Sequence, residues 1–194
     1  MKIVLAAALL SVSVPACAAE VEPAPAYDPT QAGTVAHALC LLGYTGVPLR
    51  QLATGHHVVD VTLNGRRAAF VLDTGANGTV IDSALAARFG ADGQPVASGP
   101  AVGIGGSRQA VQVRIDSFTV GGMPTRQRTI MVSDLSGFTG VMAQLGGERV
   151  QGIVGSDLMR EHRAVVDVKG RVAYFIQADR EPAPVDAARC RARG

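Results

Sequence analysis

Apolar and polar residues alternate along much of the chain after residue 56, which is typical of strands that bury one face. Val59, Val61 and Leu63 alternate with polar residues, and Asn64-Gly65 then provides the turn of a tight hairpin. Many short strands at this spacing predict an all-β barrel or sandwich. The second strand of the hairpin and the other extended segments are expected at residues 67–72, 80–81, 110–115, 117–120, 129–132, 164–168 and 172–176.

Three short helical segments interrupt the strand pattern, and each is bounded by residues that commonly begin or end helices. Because the helices are so few and so short, the expected fold class stays all-β. They span residues 34–42, 84–89 and 156–162; Gly43 ends the first, Asp82 or Ser83 and Gly90 bound the second, and Ser156 and Asp157 cap the third.

The 194 residues suffice for one domain with a hydrophobic core and a targeting segment, but not for two sizeable domains. We expect a signal peptide at residues 1–19, a linker with a short N-terminal helix at 20–50, the folded domain at 51–178 and a C-terminal tail at 179–194. The linker begins with a stretch rich in proline, alanine and acidic residues, which suits an extended or disordered segment. An inhibitory pro-segment at residues 20–56 is an alternative interpretation of this N-terminal region.

The first residues have the order of a secretory signal: a charged start, an apolar run from Ile3 to Leu10, and small residues around Cys17. The apolar run is too short to span a bilayer as a permanent helix, so we expect no integral membrane span. Cleavage after Ala18 or Ala19 would release an exported protein, periplasmic or secreted. A lipoprotein-type alternative makes Cys17 the lipidated first residue and anchors the protein to the envelope.

The cysteines agree with export to an oxidising compartment. Cleavage would remove Cys17 and leave Cys40 and Cys190 as an even pair. A disulfide between them would tie the N-terminal segment to the C-terminal tail, and two free thiols are the alternative.

Charge and motifs exclude several other functions. Eighteen Lys and Arg against sixteen Asp and Glu give a net charge of +2, without the basic patch that nucleic-acid binding requires. His56 and His57 are adjacent and so point to opposite faces of a strand. Since His37 and His162 lie outside ligand spacing, we expect no metal, no cofactor and four surface histidines. The chain also lacks a Gly-x-Ser-x-Gly motif and pairs no cysteine with a catalytic histidine.

Asp73 lies where an apolar strand turns sharply into Thr74-Gly75. Gly75 allows backbone conformations and close approaches that a side chain would block. A carboxylate at this position has low-dielectric surroundings on one side and backbone donors on the other. A structural turn between two strands is the plainer interpretation of the same residues.

Three motifs give a resemblance to a known family. The segment Val71-Leu72-Asp73-Thr74-Gly75-Ala76 resembles the motif of the retropepsin-like, or retroviral-type, aspartic proteases, in which an apolar run leads into Asp-Thr-Gly-Ala. Gly152-Ile153-Val154-Gly155, followed by Asp157-Leu158-Met159, resembles the second signature of that family, an apolar pair and a glycine that enter a short helix and pack beneath the catalytic loop. Val102-Gly103-Ile104-Gly105-Gly106 resembles its glycine-rich flap, although an aromatic flap residue is missing. The resemblance covers residues 57–176, and Asn77 departs from the Asp or Ser that is more usual there.

This resemblance implies a closed acid-protease barrel with two or three short helices, a polypeptide substrate and no cofactor. Catalysis in the family uses two carboxylates that share one proton. Every other Asp of the chain lacks a Thr-Gly or Ser-Gly partner, so a two-fold homodimer would provide the second Asp73, with Thr74 hydrogen-bonded across the pair. The residues implied are Asp73, Thr74 and Gly75 in the catalytic loop, Ala76, Gly103, Ile104, Gly105 and Gly106 at the substrate, and Ile153, Val154 and Gly155 beneath the loop.

The function implied is that of an exported bacterial aspartic endopeptidase that cuts extended polypeptides. A catalytically silent module that binds peptides or assists assembly in the envelope is the first alternative. An envelope scaffold held by a lipidated Cys17 is the second.

Overall fold

The computed structural model describes residues 20–103 and 106–190, and only the backbone of residues 101–103 and 106–108. The expected signal peptide with Cys17, the flap residues Ile104 and Gly105, and the last four residues lie outside this description.

The described chain is mostly β, as the alternating pattern predicted. The strands are β1 (Thr45–Pro48), β2 (Arg50–Gln51), β3 (His57–Leu63), β4 (Arg66–Leu72), β5 (Val80–Asp82), β6 (Pro95–Gly103), β7 (Gly106–Arg114), β8 (Phe118–Val120), β9 (Met123–Pro124), β10 (Thr129–Ser133), β11 (Gly152–Val154), β12 (Val165–Asp167) and β13 (Val172–Phe175). The helices are α1 (Val35–Leu41), α2 (Ser136–Leu145) and α3 (Ser156–Glu161), with short 3-10 segments at Ser83–Leu85, Ala87–Phe89 and Ala187–Cys190.

These strands form two sheets that share one hydrophobic core. The large sheet has the order β6-β7-β10-β5-β11-β4-β3-β8-β9, with β2 also paired to β3, and the small sheet has the order β1-β13-β12. A closed barrel is not confirmed, because closure requires the two edges of a sheet to pair. Among the residues that the structure describes, the edge strands β6 and β9 pair only with their hairpin neighbours β7 and β8.

The hairpin between β3 and β4 turns at Asn64-Gly65, as predicted. Both residues have left-handed backbone angles, with φ of 48° at Asn64 and 78° at Gly65, which a two-residue hairpin turn of this type requires. The Asn64 side-chain oxygen also accepts hydrogen bonds from the backbone N–H groups of Asp116 and Ser117, at 2.8 and 3.1 Å. The turn is therefore joined to the segment that enters β8.

The helix predictions had mixed outcomes. Thr34 caps α1 with its side chain, close to the predicted start. The helix expected at 84–89 is instead a pair of 3-10 turns, which Asp82 caps and Gly90 ends in a left-handed conformation. The third helix, α3, starts at Ser156, but Gly155 is its N-cap residue and makes no side-chain cap.

Helix α2 was not predicted, because its sequence contains two glycines and a threonine, which disfavour helix intrinsically. Tertiary contacts hold it instead. Met142 is buried in a cluster with Val71 of β4, and the Thr139 hydroxyl donates to the Asp82 carboxylate at 3.1 Å. The helix thus covers the strand that leads to Asp73.

The N-terminal segment belongs to the fold and is more than a linker. Strand β1 pairs with β13, and Val47 lies in the main core. Further upstream, Glu22 exchanges two backbone hydrogen bonds with Gln51, at 2.8 and 3.0 Å, and its carboxylate pairs with Arg171. The packed part of the chain therefore begins well before the boundary expected at residue 51.

The expectation of four surface histidines is wrong for His162, whose side chain is only 1 % exposed. Its Nδ1 lies 2.8 Å from the carbonyl oxygen of Ile176, and the Ile176 N–H donates back to the His162 carbonyl. His57 is half-buried, and burial together with the nearby Arg171 lowers the pKa of its imidazole from the usual value. His162 is thus joined to the residue that follows β13, and His57 lies near Arg171, which precedes that strand.

Cys40 and Cys190 are joined by a disulfide, with Cα atoms 5.8 Å apart and a separation of 150 positions in sequence. The bond ties α1 to the C-terminal 3-10 segment, and both cysteines are buried. Because a cross-link over so long a loop restricts the unfolded chain strongly, we expect Cys40→Ala with Cys190→Ala to lower the free energy of unfolding by roughly 2–5 kcal/mol.

Chemical denaturation of the mature protein measures this difference. Wild-type protein unfolded in the presence of a thiol reductant should match the double variant, and that provides the control. Equal denaturation midpoints for oxidised wild type and the double variant would refute a stabilising disulfide.

Candidate active site

The loop from Asp73 to Thr79 connects β4 and β5, which do not pair with each other. Strand β11 lies between them, parallel to β4 and antiparallel to β5, so that Ile153 is opposite both Val71 and Val80. The structure therefore brings the two predicted motifs, eighty residues apart in sequence, into direct contact. The order of the strands puts Ile153 and Val154 beside the strand that enters the loop, as expected of support residues.

Asp73 begins the loop and is held by backbone groups. Its N–H donates to the Val154 carbonyl at 3.0 Å, and its carboxylate Oδ1 accepts from the Gly75 N–H at 2.8 Å. A Cβ at Gly75 would lie 3.2 Å from that same oxygen, so any other residue there would require the carboxylate to shift by a few tenths of an ångström. The Asp73 side chain is half-buried, whereas Thr74 is exposed and its side chain bonds to no other described residue. The turn thus presents a carboxylate and a hydroxyl at the molecular surface.

The middle of the loop packs directly on the start of α3. The Ser156 N–H donates to the Ala76 carbonyl at 2.8 Å. A Cβ at Gly155 would lie 2.4 Å from both the carbonyl carbon and the carbonyl oxygen of Gly78. Only glycine allows the two backbones to approach so closely. The absence of a side chain at Gly155 therefore lets the loop pack directly on the start of α3.

The far end of the loop is held by side chains that the sequence did not reveal. Both carboxylate oxygens of Asp157 bind Thr79, at 2.9 Å from its N–H and 2.9 Å from its hydroxyl. The Gln127 side-chain amide donates to the same carboxylate at 3.1 Å. The sequence predicted Asp157 as part of the second motif and as a helix cap, but it did not predict the contact with Thr79.

The predicted flap lies at the end of the hairpin formed by β6 and β7. Gly103 is paired with Gly106 as the last register pair before the turn. Residues 110–114 of β7 also pair with β10, whereas residues 106–109 pair with β6 alone among the described strands. The hairpin thus extends past the end of β10 as a two-stranded arm, and Ile104 and Gly105 at its tip lie outside the described residues.

Two further properties bear on the chemistry. Within residues 20–103 and 106–190, no group of three or more His, Cys, Asp or Glu side chains could hold a metal ion. No helix in that same part of the chain has the length and apolar character needed to cross a membrane. The arrangement offers a surface carboxylate, backbone donors and an adjacent hydroxyl.

Comparison with known families identifies this arrangement. A family model described as aspartyl protease matches residues 59–158, which is more than half of the chain and includes both motifs. The chain belongs to the aspartyl protease family. The resemblance to retropepsin-like aspartic proteases is confirmed. The matched region runs from β3 to the start of α3.

Two solved protease structures can be aligned with this chain. A retropepsin-like aspartic protease from Rickettsia conorii is 15 % identical with a TM-score of 0.45, and the alignment covers 69 % of this chain and 98 % of that one. The EIAV protease, solved in complex with the inhibitor HBY-793, is 19 % identical with a TM-score of 0.41, and the alignment covers 53 % of this chain and 84 % of that one. A search of curated protein sequences finds no match.

Proposed function

We propose that this aspartyl protease is an endopeptidase that hydrolyses peptide bonds in extended polypeptides. The observation that carries the proposal is the surface turn at Asp73, whose carboxylate is oriented by the Gly75 N–H and whose backbone is fixed to Val154. Membership of the aspartyl protease family also supports a catalytic role for this carboxylate.

The chemistry requires two carboxylates that share one proton. Two like charges at close distance cannot both ionise, so one carboxyl stays protonated and donates a hydrogen bond to the carbonyl oxygen of the scissile peptide. The other, ionised, accepts a proton from the attacking water. Water adds to the carbonyl carbon, and the C–N bond then breaks as a proton passes to the leaving amine.

A homodimer would supply the second carboxylate, because Asp73 is the only Asp of the chain that Thr-Gly or Ser-Gly follows. In such a dimer the two Asp73 turns face each other across the two-fold axis. The exposure of Thr74 supports this arrangement, since its hydroxyl is free to hydrogen-bond to the partner copy.

The substrate would bind as an extended strand between the Asp73 turn and the arm formed by β6 and β7. The glycines at 103 and 106 suit an arm end that adapts to different substrates. Ala76, which follows the turn, would contact the substrate backbone.

We also propose export of the protein, with residues 1–19 as the signal peptide. The disulfide between Cys40 and Cys190 supports an oxidising compartment such as the periplasm or the medium. A lipid anchor at Cys17 is the alternative, and the mass of the mature N-terminus distinguishes the two.

The test is cleavage of a denatured test protein at mildly acid pH by the mature chain. We expect cleavage that a statine-type inhibitor blocks, because its hydroxyl occupies the position between the two carboxylates, and a matched compound without the hydroxyl serves as control. Activity per chain should fall on dilution as the dimer dissociates. Full activity of a monomer would contradict the paired mechanism, and peptide binding without cleavage would favour the silent module.

A further inference from the structure

Hydrogen bonds attach the Asp73–Thr79 loop to β11 and α3 at four points. At its start the Asp73 N–H donates to the Val154 carbonyl, and in its middle the Ala76 carbonyl accepts from the Ser156 N–H. Both of these are bonds between backbone groups, which exist whatever the side chains are. The other two depend on side chains: the Ser156 hydroxyl donates to the Asn77 carbonyl at 3.5 Å, and Thr79 binds Asp157 at 2.9 Å. The attachment at Thr79 is the shorter of these two and is buried.

Thr79 is almost completely buried, with 1 % of its surface exposed, and its polar groups are all used. Its N–H and its hydroxyl both donate to Asp157, while the same hydroxyl oxygen accepts from the Gly155 N–H at 3.2 Å. One threonine thus links the loop to the glycine on which the loop packs and to the first turn of α3. Loss of the hydroxyl would leave the buried Gly155 N–H without its partner, which is costly.

Each group that contacts the Asp157 carboxylate is a donor. Besides the two Thr79 groups, the Leu158 N–H donates at 2.8 Å and the Gln127 amide at 3.1 Å. This arrangement suits a carboxylate, which only accepts, and fixes which end of the Gln127 amide faces it. An asparagine at this position would place its NH₂ group against at least one of these donors, and the hydrogen bond there would be lost.

We propose that Asp157 is a positioning residue for the reaction: it acts through Thr79 to hold the catalytic loop in its reactive geometry. The proposal rests on the proposed function of Asp73. Asp157 touches no reacting atom in this scheme; its effect reaches Asp73 through Thr79, Gly155 and the backbone contact of Gly155 with Gly78. Small displacements of a catalytic group lower the rate strongly while leaving substrate contacts in place.

Kinetics of Asp157→Asn and Thr79→Val test the proposal in the full mature chain. We expect kcat to fall by about tenfold or more in each, with KM changed by less than about twofold. Thr79→Ser keeps the hydroxyl and should retain most of kcat, and Asp92→Asn, at an exposed carboxylate, should behave as wild type. Because both variants break the same linkage between Asp157 and Thr79, kcat of the double variant should be little lower than that of either single variant.

A second measurement keeps this test separate from that of the proposed function. Hydrogen exchange at the Gly75 and Ala76 N–H groups should accelerate in Thr79→Val and Asp157→Asn but not in Thr79→Ser, while exchange in β3 stays unchanged. If wild type cleaves no peptide, the proposed function is wrong. The exchange rates then test by themselves whether Asp157 and Thr79 hold the loop in place. Unchanged loop exchange, or a kcat of wild-type size in Asp157→Asn, overturns the proposal.

Discussion

Asp73→Asn is expected to lower kcat for peptide hydrolysis by roughly 10²- to 10⁴-fold, because the amide can neither take a proton from water nor share one with its partner. The variant should fold normally, since the asparagine oxygen can still accept from the Gly75 N–H as the carboxylate does. The measurement is kcat on a denatured test protein, together with the thermal unfolding midpoint. Asp92→Asn removes an exposed carboxylate and provides the control.

Mixing experiments sharpen this prediction. If both carboxylates of a dimer are required, a fully exchanged equal mixture of wild type and Asp73→Asn should keep roughly a quarter of the activity of the same total concentration of wild type. Independent chains would keep about half. Cleavage by the pure variant at the wild-type rate would refute the role of Asp73 altogether.

Gly155→Ala is expected to destabilise the protein by about 1–3 kcal/mol or more and to reduce activity further than the loss of folded protein explains. The added Cβ would lie 2.4 Å from two backbone atoms of Gly78, which no side-chain rotation can relieve. Either α3 or the Asp73 loop must then move, and the loop carries the proposed catalytic group. The measurements are the free energy of unfolding and kcat under conditions in which the variant is fully folded.

Gly93→Ala is the matched control, because a Cβ there meets no atom within 4 Å. Its unfolding free energy and kcat should stay close to those of wild type. A Gly155→Ala protein with wild-type stability and activity would show that the loop tolerates displacement, and the steric account of Gly155 would be wrong.

Local signals in the sequence predicted the local structure. Asn64-Gly65 predicted the β3–β4 hairpin because only a few residue types adopt left-handed backbone angles easily, and both residues do so. Thr34 and Gly90 marked helix ends for comparable local reasons. Helix α2 gave no such signal, since buried contacts of Met142 and Thr139 override a sequence that disfavours helix.

The candidate site likewise has a part that the sequence predicted and a part that only the tertiary structure decided. The sequence predicted the Asp73 motif and the glycine-rich support motif through their resemblance to a known family, because each motif consists of residues that stand next to one another. Only the tertiary structure decided that β11 enters between β4 and β5 and that the large sheet stays unclosed among its described strands. It also decided that Asp157 binds Thr79, 78 residues away, because pairing and side-chain contacts over such distances depend on the packing of the whole core and leave no local pattern.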